Sequence, residues 1–227
     1  MLVVSCSLKG SGQVVIALLF GDKLNTDKIE FGIVVSPALS NMTGIHCKDR
    51  FGLNLGLYFN FKIDDDLFFH PELIAKSSYG AKGIQPYKTG NDSLDIFFNG
   101  GSVERHFEGF GMPLLVEYRL YKLLFAVAGP QVDLFLKVND NFNNKVNNND
   151  LNYKIKVTDQ YTRFQLGFNA GLIYKLKKDK GMGIGIRYFY GLTDVAKTME
   201  GTQVNAAWLL NITIPVGAGK NSTPKTQ

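Results

Sequence analysis

Residues 51–62, FGLNLGLYFNFK, separate into two faces when every second residue is read. One face carries Phe51, Leu53, Leu55, Leu57, Phe59 and Phe61, and the other carries Gly52, Asn54, Gly56, Tyr58, Asn60 and Lys62. A period of two is the mark of a β-strand, because successive side chains leave the pleat on opposite sides. A strand in a soluble domain is usually about 5–6 residues long. This one holds its alternation for twice that, close to the ~9–11 residues a tilted strand needs to cross a bilayer. That combination points to a transmembrane β-barrel.

The same pattern recurs along the chain. Strands are predicted over residues 29–40, 51–62, 67–80, 107–119, 122–137, 161–176, 182–193 and 204–214. Eight is an even number and the smallest usual for a bacterial barrel. The connectors after the first, third, fifth and seventh strands are long, and those after the second, fourth and sixth are tight. Bacterial outer-membrane barrels have short periplasmic turns and longer external loops, which puts the termini on the periplasmic side. The expected fold is all-β, an eight-stranded antiparallel up-and-down transmembrane β-barrel over residues 29–215. Residues 1–12 read as a truncated signal segment containing Cys6. Residues 13–28, with the apolar run VVIALLF, read as a periplasmic segment with a short interfacial helix. Residues 216–227 read as a flexible polar tail. Residues 139–152, NDNFNNKVNNNDLN, are expected to be mobile because they are too polar to bury.

Composition removes several other classes. No stretch approaches the ~18 uninterrupted apolar residues of a membrane helix. The mean hydropathy of −0.03 is that of a chain whose apolar and polar residues alternate and cancel. The net charge of +5 is spread along the sequence, the densest group being Lys175, Lys177, Lys178 and Lys180. Nucleic-acid binding needs a concentrated basic footprint, so none is expected. Two cysteines, Cys6 and Cys47, do not make a disulfide framework, and no Cys/His cluster has metal-ligand spacing. Neither metal nor cofactor is implied.

The polar face is rich in Gly and Asn with charges of both signs, which suits a narrow interior filled by side chains. A soluble carrier would more naturally carry a carpet of Lys, Glu, Ser and Thr outside. Aromatics near strand ends (Phe59, Phe61, Phe68, Phe69, Tyr118, Tyr161, Tyr174, Tyr188 and Tyr190) read as interfacial girdles. On this reading Glu72, Lys76, Glu117, Arg119, Asp133, Arg163, Lys175 and Arg187 point inward and form a paired polar network in the lumen. His46 and His106 fall on or near external loops, with Ser102, Asp95 and Glu104 close to His106 in sequence. A surface enzyme would place a base beside a nucleophile there, but no spacing rule joins these residues.

Several segments resemble a known family. HPELIAKSSYGAKG (residues 70–83), MPLLVEYRLYKLLFAVAGPQVDLFL (residues 112–136), FQLGFNAGLIYKL (residues 164–176) and GIGIRYFYGLTDV (residues 183–195) are similar to segments of the PorT-like outer-membrane barrels of Bacteroidetes, small barrels of the OmpX-like kind. The resemblance implies an outer-membrane location in a Gram-negative cell envelope. It departs at the incomplete leader and at Pro215, which is followed by a polar tail in place of a terminal aromatic. The reading is a monomeric structural or binding protein that contacts outer-membrane lipid and meets lipopolysaccharide or protein through its external loops. Three alternatives stay open: a barrel-embedded hydrolase or acyltransferase, a small pore, and a soluble lipocalin-like carrier. A His46 or His106 paired with an acidic or hydroxyl partner on the outer rim would favour the enzyme.

Overall fold

The computed structural model describes residues 26, 28–177, 181–197 and 201–216, and among these it forms nine strands, one short α-helix and a single 3-10 turn at Thr158–Gln160. The strands are β1 (Ile29–Met42), β2 (Arg50–Lys62), β3 (Leu67–Ile84), β4 (Ser102–Tyr121), β5 (Leu124–Val146), β6 (Asn149–Lys156), β7 (Phe164–Lys175), β8 (Gly183–Gly191) and β9 (Asn205–Pro215). The helix α1 (Asp92–Phe98) lies between β3 and β4. All pairings are antiparallel. Neighbours run β4-β3-β2-β1-β9-β8-β7-β5, and β4 pairs with β5 to close an eight-membered ring. Closure follows from the solvent: lipid offers no partner for an unpaired N–H or C=O, so a strand can span only where every edge is paired. The readings of the leader at residues 1–12 and of the apolar run VVIALLF lie outside the described residues, as does most of the polar tail.

The two faces separate as the alternation requires. On β7 and β8 the apolar Phe168 and Ile186 are 45% and 53% exposed, while their sequence neighbours Asn169 and Arg187 are 0% and 4% exposed. On β2, Gly52, Asn54, Gly56, Tyr58 and Asn60 are buried and the intervening Leu and Phe residues are not. Leu166, Leu172, Ile184, Leu210 and Trp208 continue the outward apolar band. Such a band in water would forfeit about 1.5–3 kcal/mol for each large side chain, so its place is in lipid. Glycine makes room inside at two close approaches. A Cβ on Gly32 would lie 2.5 Å from the Tyr58 ring, and one on Gly167 would overlap the ring of Phe189.

β4 and β5, at 20 and 23 residues, are about twice the length a bilayer crossing needs, so they project beyond it. The lower half of β5 pairs with β7 from Leu124↔Tyr174 to Leu134↔Phe164. Its upper half, from Asn139 to Val146, pairs with β6. The Asn-rich tract is therefore an ordered hairpin, which corrects the expectation of a mobile loop. The reason is local: Asn147 and Asn148 adopt φ of 50° and 63°, the conformation a two-residue hairpin turn requires and one that Asn tolerates. A hairpin standing in water has no need to bury its polar residues. Asp140 and Phe142 nevertheless turn in, and Phe142 packs against Tyr87 and Phe98 with ring centroids 5.1 and 5.8 Å away. Asn91 caps α1 by accepting from the backbone N–H groups of Ser93 and Leu94.

Placing Arg at the outward, mid-strand position of Ile186 should cost about 2–4 kcal/mol if that position lies at the bilayer midplane. Urea unfolding in lipid vesicles, read by the shift of the folded band on a gel, measures the cost. A neutral Ile186→Arg variant would mean that this face does not meet hydrocarbon.

Candidate functional site

Five of the eight residues expected in the lumen are buried there. Glu72, Glu117, Asp133, Lys175 and Arg187 come from β3, β4, β5, β7 and β8. Arg187 donates to both oxygens of Glu72 at 2.8 Å, and Lys175 Nζ lies 2.6 Å from Glu117 Oε2. His70 bridges the two carboxylates, with Nε2 3.4 Å from Glu72 and Nδ1 3.2 Å from Glu117, and its ring stacks on Tyr58. Tyr58 in turn donates to Glu30 at 2.9 Å. Asp133 stands apart from this group and accepts from Gln131 at 2.7 Å, and Gln131 accepts from Asn169 at 2.9 Å. Around His70, Glu72, Glu117 and Arg187 the free space is about 10 Å³, at the lower limit for a single water.

The other three residues are placed elsewhere. Lys76 is exposed, because β3 carries an extra residue between Ile74 and Ser77 relative to β4. Such a bulge reverses the alternation: inward positions are even before it and odd after it. A second bulge, where Glu108 pairs with Lys137 but Gly109 with Phe135, turns Lys137 outward in the same way. Arg163 is exposed at a bend that precedes the first residue of β7. Arg119 sits at the turn end of the barrel, where it pairs with Asp66 at 3.0 Å and donates to the carbonyls of Lys122 and Asp65.

The lumen is not polar throughout, which corrects the expected interior. Its upper part holds an aromatic plug: Tyr79 stacks on Phe189 (4.9 Å between centroids), and Phe107 meets Phe135 (4.9 Å) and Tyr161 (5.1 Å). Tyr161 belongs to this plug, and Phe68 packs inside against Phe125, so neither is a girdle residue. Above the plug, Arg105 holds Asp140 through two hydrogen bonds of 2.8 and 2.6 Å, and the Tyr87 hydroxyl donates to the same carboxylate at 2.7 Å.

A second assembly lies on the outside, at the top of the lipid-facing stripe. On β4 the outward residues Tyr118, Val116, Leu114, Met112 and Phe110 give way to Glu108 and then His106. On the facing strands Ser78 pairs with Glu108, and Glu108 with Lys137. Ser78 Oγ is 2.9 Å from His106 Nε2, and His106 Nδ1 is 3.3 Å from Glu108 Oε1. Arg50 donates to Ser78 Oγ at 3.2 Å and to Glu104 at 2.7 Å. Burial and the Arg50 charge push the His106 pKa down to about 4, against the opposing pull of Glu108 and Glu104. The β2–β3 ladder stops at Leu55↔Lys76. Above it the two strands are joined by side chains, including the Ser78 N–H to Asn54 Oδ1, until the bridge at Lys48↔Lys82.

Of the residues near His106 in sequence, Glu104 is engaged by Arg50 and Asp95 accepts from Thr89, while Ser102 pairs with Asn143 across the ladder. His46 is exposed in the β1–β2 loop. Glu108 was within reach of sequence reasoning, since it follows His106 by two on one strand face. Ser78 was not, because its place depends on the cross-strand register and on a bulge. Among the described residues no cluster of His, Cys, Asp and Glu is able to hold a metal ion.

The family model for the outer membrane protein β-barrel domain matches residues 25–197, well over half of the chain. No curated protein sequence matches it. Among solved structures, the chain is similar to Ail, the attachment invasion locus protein of Yersinia pestis (TM-score 0.42, 11% identity, 83% of this chain and 97% of that one). It is also similar to Neisserial surface protein A (TM-score 0.42, 11% identity, 82% and 96%) and to the outer membrane protein OprG of Pseudomonas aeruginosa (TM-score 0.31, 10% identity, 84% and 97%). The ring of eight strands, its apolar exterior and the family match together establish that this chain belongs to the outer membrane protein β-barrel domain family and resides in the bacterial outer membrane.

Proposed function

We propose that the protein is a closed, monomeric barrel that works through its external surface as a structural or binding protein. The observation that carries this reading is the pair of layers stacked across the lumen: the ion-paired layer of Glu72, Glu117, Lys175 and Arg187, and above it the aromatic layer of Tyr79, Phe107, Phe135 and Phe189. Eight strands leave little free bore even before such residues fill it.

The contact surface in this reading is the outer platform formed by α1, the loop that leads to it, and the β5–β6 hairpin. Its order supports a recognition role, since a preformed surface loses less entropy on binding. Ile96 and Phe97 of α1 are exposed at its tip, and protein or lipopolysaccharide is the partner class proposed. The scattered basic residues argue against nucleic acid. Kinship with the PorT-like barrels of Bacteroidetes belongs to the same reading and is supported by the segments over residues 70–83 and 112–136.

Purified protein in a planar bilayer should give no stable conductance steps; porin-like steps would overturn the closed-lumen reading. Energetics provide a second check. Arg187→Leu leaves Glu72 buried with only His70 beside it and should cost about 3–5 kcal/mol in unfolding free energy. Adding Glu72→Leu to that variant should recover much of the loss, because removing both charges of a buried pair is often close to neutral. Equal losses in the single and double variants would show that the pair does not act as a unit.

A further inference from the structure

We infer that Ser78, His106 and Glu108 form a serine-hydrolase site that cleaves acyl esters of phosphate-bearing lipids at the outer-leaflet boundary. Three features on the outward wall support this assignment, and none depends on whether the lumen conducts.

The first is connectivity. Glu108 Oε1 lies 3.3 Å from His106 Nδ1, on the far side of the ring from Nε2, which is 2.9 Å from the Ser78 hydroxyl; in this assignment the hydroxyl donates to Nε2 and the carboxylate orients the ring. This is the nucleophile–base–orienter order that activates a serine. The depressed His106 pKa keeps the ring neutral, and so able to take a proton, across the range above about 4. The charged groups facing it are Arg50 on β2, Glu104 and Glu108 on β4 and Lys154 on β6, with Lys76 on β3 and Lys137 on β5 lining the groove beside it.

The second is access. A groove of about 690 Å³ opens beside Ser78 and His106, within the size range of small-molecule sites. Ser78 itself is 3% exposed, tucked against Gly52 and Arg50 of β2. The bulges that turn Lys76 and Lys137 outward also form this groove. Bulges commonly re-aim side chains beside functional sites.

The third is the chemistry of the walls. Phe110 and Leu136 continue the lipid-facing band and suit an acyl chain, while Lys76 and Lys137 suit a phosphate. Arg50, 3.2 Å from Ser78 Oγ, supplies positive charge beside the attacked carbonyl. Its own carboxylate partner, Glu104, holds it there.

In the reaction, Ser78 Oγ bonds to the ester carbonyl carbon as its proton passes to His106 Nε2. The bond from that carbon to the alcohol oxygen breaks, and the oxygen takes the proton from His106, leaving acyl-Ser78. A water then gives a proton to His106 and adds to the acyl carbon. Collapse releases the fatty acid and returns the proton to Ser78 Oγ, so one water is consumed for each ester. Glu108 acts as a positioning residue throughout.

The test uses the full chain refolded in detergent, with two substrates and a trapping reagent. Fatty-acid release is measured from mixed micelles of phosphatidylglycerol and, separately, from lipopolysaccharide, and a fluorophosphonate probe is mapped by mass spectrometry. The expected result is labelling at Ser78 with release from at least one substrate, and the substrate cleaved identifies the lipid source. Ser78→Ala should lose both signals while keeping the folded gel mobility. His106→Ala should lower release by about 10²-fold or more. Glu108→Gln should lower the rate and move the acid limb of the pH profile below its position near 4, because the lost carboxylate had raised the His106 pKa. An unlabelled Ser78, or release from neither substrate above the Ser78→Ala background, would overturn the assignment.

Discussion

Closure of the hydrogen-bond ring in a solvent that cannot hydrogen-bond is the constraint from which the rest of the structure follows. β1 pairs with β2 on one side and with β9 on the other, and β4 pairs with β5, so the sheet closes on itself and has no open end to face hydrocarbon. Once the ring is closed, alternation sends one set of side chains to lipid and the other into a space too narrow for bulk water. The inner set must then fill that space. It does so with charges paired across the lumen and, higher up, with stacked aromatic rings.

Three of the five register shifts among the described strands fall at one height of the wall. Both bulges described above lie on β3 and β5, on either side of β4, and the β2–β3 ladder ends at the same height. A one-residue insertion costs ladder hydrogen bonds and exchanges inside for outside. Here the exchange places Lys76 and Lys137 on the outer face and brings the Ser78 side chain beside His106.

The fold was legible in the sequence because period-two alternation survives averaging. The outward Leu166 and the inward Asn169 can be assigned by counting along one strand. The lumen charges Glu72, Glu117, Asp133, Lys175 and Arg187 could be placed by the same counting. Lys76 could not, since a bulge shifts the count and leaves no local composition signal. Arg163 was misplaced because the bend before Phe164 ends the strand before the alternation does. The aromatic plug was hidden for a different reason: Phe107, Phe135 and Phe189 look like lipid-facing residues until their parity is compared with that of Arg187 and Asp133. The Asn-rich hairpin shows that polarity excludes burial but not order, given a turn that Asn147 and Asn148 can adopt.

Trp208 offers a direct probe of the central claim, since it is the chain's single tryptophan and lies exposed on the outward face of β9. Fluorescence quenching in bilayers of lipids brominated along the acyl chain reports whether its ring contacts hydrocarbon. A lipid-facing exterior predicts strong quenching that depends on bromine depth and resists an aqueous quencher such as iodide. Efficient quenching by iodide together with indifference to brominated lipid would contradict it.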